Sequence, residues 1–337
     1  MLGRVVTAFI LALPLAASAG PSRGTSHRRH HENSRRYTPT RRGPTYKLVD
    51  DYNKDTFLDM FTFFTASDPT HGMVDYVSKS EATSSGLAFV QDDGTIVLGV
   101  DDTTQLKVGE NRKSVRLTSK KVYNAGTLFL ADIYSMPHGC ATWPAYWTVG
   151  PDWPNGGEID ILEGVNDQTQ NQITAHTGNV CSVNKHVDFT ANLVGSKCQS
   201  SNGANAGCAF LQENNNTYGH GFNLNAGGVY AHTWEEDAIQ VWFFPRGAIP
   251  DDITSGNPDP DAWGAPAAIF NNNDQCNVAS SFHDHQIVFD VTLCGDWAGS
   301  VYSSMGCPGT CAQQVADPEN FKYAKFKIAS VKVFKSS

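Results

Sequence analysis

The chain has 337 residues, 34 acidic against 25 basic side chains, a net charge of −9 and 40% hydrophobic residues. That apolar fraction can bury a large core, which excludes a disordered polyelectrolyte, and the acidic balance disfavours nucleic acid as a partner. Residues 1–46 hold eight arginines and one glutamate, +7, so the rest of the chain carries −9 − 7 = −16.

The first 19 residues read as a signal peptide. Arg4 supplies the positive start, Val5–Leu15 the apolar run, and Ala17-Ser18-Ala19 the small-residue cleavage pattern before Gly20. The run is too short to span a bilayer, and no later stretch reaches about 18 apolar residues. An exported protein with no membrane partner, extracellular or cell-wall associated, is expected. Residues 20–46 hold seven arginines, three histidines and a single acid, Glu32. Such a segment cannot bury enough surface to fold, so it reads as a basic disordered linker. A propeptide cut at Arg28-Arg29, Arg35-Arg36 or Arg41-Arg42 is a second reading, and a polyanion-binding tail a third.

From Lys47 to Ser337 no linker-like break interrupts the chain. Strand-like runs recur between turn residues at Thr95–Val100, Ser114–Thr118, Gly126–Ile133, Glu158–Leu162, Gln172–His176, Ala238–Phe244 and Gln286–Leu293. Phe321–Phe334 alternates apolar residues with lysines, the pattern of a strand with one packed and one wet face. With no long 3.6-period stripe, the expected fold is all-β, a sandwich or jelly roll of antiparallel strands. Ser196–Leu224 reads as a long loop tethered by Cys198 and Cys208. Asp251–Pro266 reads as a surface loop that could border a cleft. Eight cysteines, an even number, imply four disulfides in an oxidising compartment, although 105 pairings are possible. No Cys-x₂-Cys pair supports a zinc site. Asn215-Asn216-Thr217 is a glycosylation sequon.

Glu158-Ile159-Asp160-Ile161-Leu162-Glu163 carries the chemistry. A buried carboxylate costs several kcal/mol unless it is paired or hydrogen-bonded, so a strand bearing three acids points to a working site. Glu158 and Asp160 share one strand face, whereas Glu163, at an odd spacing, points to the other. One β-bulge between Asp160 and Glu163 returns it to the first face. Two carboxyls about 5–5.5 Å apart are the arrangement of a retaining glycosidase. A divalent-cation site is the competing reading, but Ile161 and Leu162 at its centre argue against a calcium loop.

The stretch Asn155–Asn166 resembles the active-site strand of glycoside hydrolase family 16, in the branch with two residues between the Asp and the second Glu. Further segments carry the resemblance in order: Trp143-Pro144-Ala145-Tyr146-Trp147, Ala175-His176-Thr177, Val229–Trp234, Ile239–Gly247 and Cys294–Gly299. It covers roughly residues 47–337 and is strongest to secreted fungal members. The resemblance implies a β-jelly-roll with an open concave cleft. It also implies a retaining endo-β-glucanase that hydrolyses β-1,3- and mixed-linkage β-1,3(4)-glucans. Glu158 would be the nucleophile, Glu163 the general acid and then base, and Asp160 a hydrogen-bonding partner between them. His176 would lie near the leaving-group oxygen or the acid. Trp147, Trp153 and Trp297 are candidates to stack on sugar rings, and Arg116 to meet a sugar hydroxyl. Trp143, Trp234 and Trp242 read as core. The expected partner is a β-glucan polysaccharide and the expected state a monomer, with no cofactor and no metal. A glucan transglycosylase and a non-catalytic glucan-binding protein are the alternatives.

Overall fold

The computed structural model describes residues 45–201 and 204–337. The expected signal peptide, and the basic segment up to residue 44, therefore lie outside the described residues. The first strand, Tyr46–Tyr52, begins one residue ahead of the expected boundary.

Most of the strands lie in two eight-stranded sheets whose neighbouring strands all pair antiparallel. One sheet runs in the order Asn192–Gly195, Cys208–Leu211, Gln172–His176, Glu158–Glu163, Thr142–Val149, Gln286–Leu293, Arg116–Ser119, Phe61–Phe63. The other is built around Thr127–Ser135, Gly228–Trp234 and Lys325–Ser336. Their inner faces form one core. Ile159, Ile173, Tyr146 and Phe289 of the first sheet meet Phe129, Tyr230 and Val333 of the second. Strand periodicity then sends Glu158, Trp147, His176 and Asp290 to the opposite, open face of the first sheet. Among the described residues, no helix is long and apolar enough to cross a membrane.

Two loop expectations are corrected. Ser196–Leu224 is not one loop, because Cys208–Leu211 joins the first sheet and Gly219–Leu224 forms a short helix. Only four residues make that strand, too few for alternation to be read. The Asp251–Pro266 segment does not border the open face. Ile253 and Trp263 pack on Leu128, Leu130, Val229 and Trp242, on the outer face of the second sheet. Trp242 there donates its indole N–H to Gly264 O at 3.1 Å. Trp234 is core, as expected.

All eight cysteines pair, as Cys140–Cys307, Cys181–Cys276, Cys198–Cys208 and Cys294–Cys311.

Candidate active site

The Glu158–Glu163 strand slips register against both neighbours. Asp160 faces Thr174 and Glu163 faces Gln172 on one side; Asp160 faces Trp147 and Leu162 faces Tyr146 on the other. This is a bulge of one extra residue. It lets the consecutive residues Ile161 and Leu162 both enter the core, where each is fully buried. Glu163 is thereby turned to the face that carries Glu158 and Asp160. The strand is entered through Gly157, whose φ of +78° suits glycine; an added Cβ would lie 2.4 Å from Ser281 O.

The Glu158 and Asp160 carboxyls are neighbours, one oxygen of each within 4.8 Å of the other. His176, on the adjacent strand opposite Glu158, places Nε2 3.4 Å from Asp160 Oδ2 and 4.0 Å from Glu158 Oε1. Its Nδ1 lies 2.9 Å from Ser200 Oγ, and that hydroxyl is directed at Cys198 O. A hydroxyl that donates to a carbonyl accepts from the ring, so Nδ1 carries hydrogen and Nε2 faces the acids. Asp160 Oδ2 is buried and accepts no hydrogen bond from a described protein group. One ligand atom from each of Glu158, Asp160 and His176 lies within 4.8 Å of the others, a spacing that could also hold a cation.

Burial, and then the charge of Asp160, push the Glu158 carboxyl up to about 8. Burial also raises Asp160, and it raises Glu163 well above the ordinary carboxylate range. The site thus holds protons at neutral pH that free carboxyls would have lost. Trp143 opposes this at Glu163, donating its indole N–H to Oε1 at 2.9 Å. Reading Trp143 as core is corrected: it alternates with Trp147 onto the open face and packs edge-on against Trp297, ring centres 5.6 Å apart.

The remaining candidates fall into two groups. Trp153 is 39% exposed at the edge of the sheet, its ring 6.3 Å from that of His176. Trp147 and Arg116 sit instead on the sheet floor. The Arg116 guanidinium lies between the rings of Trp147 and Phe64, at 4.9 and 5.0 Å. The indole N–H of Trp147 is donated to Asp290 Oδ1 at 2.7 Å. Asp290 was not anticipated, although a lone acid in Gln286–Leu293 at a position alternating away from the core was a readable signal. Burial raises its carboxyl to about 6, against the pull of Arg116. Asn171 and Ser200, which hold the bulge and His176 by side-chain hydrogen bonds, were missed because each lies in an ordinary polar run.

An antiparallel jelly roll with buried carboxyls on its open face, flanked by half-buried indoles and the exposed Trp153, has the architecture of a polysaccharide-cleaving glycoside hydrolase. A family model described as XgeA-like, catalytic GH16 domain, matches residues 61–334. The chain belongs to glycoside hydrolase family 16. It is 42% identical over 304 residues to a probable glycosidase of Schizosaccharomyces pombe, covering 88% of this chain and 71% of that protein. It is 40% identical over 300 residues to the endo-1,3(4)-beta-glucanase xgeA of Emericella nidulans, covering 86% of this chain. This chain spans 47% of the length of xgeA. Among solved structures, Laminarinase 16A from Phanerochaete chrysosporium, holding two β-glucans in donor and acceptor sites, superposes with a TM-score of 0.82. That match is 42% identical and covers 86% of this chain and 100% of the other.

Proposed function

We propose that this protein is a secreted, retaining endo-β-glucanase that cuts β-1,3 linkages, and β-1,4 linkages beside them, within glucan chains. The observation that carries the reading is the bulge that sets Glu163 on the same open face as Glu158. The named relatives support the substrate class.

In this reading Glu158 attacks the anomeric carbon while Glu163 gives its proton to the departing glycosidic oxygen. A glycosyl ester forms on Glu158 as the carbon–oxygen bond to the leaving chain breaks. Glu163, now ionised, takes a proton from water, whose oxygen attacks the same carbon and frees Glu158 with net retention. Elevation suits Glu163, which must hold a proton near neutrality. Glu158 must instead be ionised. Burial and Asp160 favour its protonated form while the charges of His176 and Arg116 oppose them, so Glu158 must give up that proton before it attacks. Aromatic rings at Trp153, Trp143 and Trp297 offer stacking faces for successive sugars. Four disulfides, fungal relatives and the leader-like first 19 residues support an extracellular enzyme.

Reducing-sugar release from laminarin and lichenan tests the proposal, with agarose as the contrast and NMR of the first-formed anomer as the stereochemical readout. Cleavage of both glucans giving the β-anomer is expected, and Glu158→Gln should lower the rate by at least about 10³-fold. Failure to cleave either glucan, or an α-anomer product, would overturn it. Mass spectra of the products report any transfer to a second glucan instead of water.

A further inference from the structure

We infer that Asn171 is a positioning residue for Glu163, acting by bridging the backbone of the bulge. The inference rests on the proposed role of Glu163 as proton donor. A bulge interrupts the hydrogen-bond ladder, and buried backbone groups left unpaired there are costly. At this bulge the groups are the Glu163 N–H and the Ile161 carbonyl. Both meet the side chain of Asn171: Oδ1 accepts from Glu163 N at 2.9 Å, and Nδ2 donates to Ile161 O at 2.8 Å. Since a backbone N–H only donates and a carbonyl only accepts, the amide has one permitted orientation. One side chain thus grips the chain on both sides of Leu162 and fixes the backbone from which the Glu163 side chain departs.

Asn171 is itself held. It is fully buried. Its Nδ2 also donates to Gln212 Oε1 at 3.1 Å, and its backbone N–H donates to Thr217 Oγ1 at 3.0 Å. Gln212 N–H returns a bond to Asn171 O at 3.0 Å. Tyr230 OH then donates toward Gln212 Oε1 and the Thr217 carbonyl, tying the network to the second sheet. Every donor and acceptor of the amide plane is aimed at the bulge or at a residue that holds it. Trp143 fixes Glu163 at its carboxylate end, so Asn171 and Trp143 together define where the proton is delivered. Asn171 acts through Glu163 and leaves Glu158 to its own contacts.

The test separates proton delivery from general loss of fold. Glycosylation by a 2,4-dinitrophenyl β-laminarioligosaccharide needs no proton on its leaving group, whereas laminarin does. Asn171→Ala and Glu163→Ala would be compared with the parent by kcat/KM on both substrates, with azide added in a second series. For Asn171→Ala we expect a fall of about 10²-fold on laminarin, the cost of a catalytic group misplaced by roughly 1 Å. On the aryl substrate we expect a value within about 3-fold of the parent. Azide, which attacks the anomeric carbon of the glycosyl ester without base help, should yield the β-glycosyl azide. A loss of folded protein scales both substrates alike and leaves their ratio unmoved. Equal losses on both substrates, or no loss on laminarin, would overturn the inference. If Glu163→Ala itself loses both activities equally, the role of Glu163 fails, a result readable separately from Asn171. Should Asn171→Ala not fold, Gln212→Leu removes one partner of the amide and must show the same substrate-selective loss at smaller size, about 5-fold; its absence would also overturn the inference.

Discussion

At the scale of single residues, the site is a set of carboxyls raised by burial and adjusted by their neighbours. Removing the indole donor by Trp143→Phe keeps the ring but takes a hydrogen bond from the ionised form of Glu163. The pKa of Glu163 should rise further, so the alkaline limb of the kcat/KM profile should move up by about half a unit or more, with kcat down about 10-fold. Glu158 offers a second measurement. Its folded pKa, about 8, lies above the ordinary 4.5, so folding favours the protonated form. Stability from this group is complete below about pH 4.5 and is lost as pH rises toward 8. Glu158→Gln should therefore raise the melting temperature by several degrees at about pH 8, a gain on the order of 1–3 kcal/mol, while sacrificing activity. At about pH 4 the two proteins should melt together. Glu158, Asp160 and Glu163 stood out in the sequence because acids among β-branched residues contradict burial. Asp290 gave a weaker version of the same contradiction. Asn171 gave none, since its importance arises from a backbone irregularity on another strand.

At the scale of elements, the bulge was legible because Glu163 stands at an odd spacing from Glu158, and an uninterrupted strand would have hidden it from the open face. Strands with clear alternation, such as Gln172–His176 and Gln286–Leu293, were equally plain. Short ones were not. Cys208–Leu211 has too few residues to display a period, and Trp143 read as core because Trp143–Trp147 is apolar throughout, so composition could not tell its two faces apart. The Cys198–Cys208 segment illustrates how a connection can serve the site. It carries Ser200, and Ser200 orients His176. Replacing both cysteines with serine opens a loop of sequence separation 10 and should cost about 2–3 kcal/mol. Differential scanning calorimetry would measure that loss, and a raised KM on laminarin should accompany it as His176 loses its fixed orientation.

At the scale of the whole molecule, the two sheets have different obligations. The open face of one is left to the substrate. The outer face of the other is sealed by the Asp251–Pro266 segment through Ile253 and Trp263. Trp263→Ala should uncover Leu128, Leu130 and Trp242 and destabilise the fold by about 1–3 kcal/mol, with kcat/KM unchanged at temperatures below melting. Chemical denaturation alongside an activity assay separates the two effects. The sequence could not place this segment because a Pro- and Asp-rich run reads as surface wherever it lies. The disulfides are distributed with a different logic. Cys140 stands three residues before Trp143 and Cys294 three before Trp297, while Cys198–Cys208 brackets the partner of His176. Cystines thus brace the stretches that carry Trp143, Trp297 and Ser200, whereas the sheets between them rely on apolar packing. A reduced chain should therefore still assemble its sandwich but hold these side chains less firmly, a difference that laminarin cleavage with and without dithiothreitol would measure.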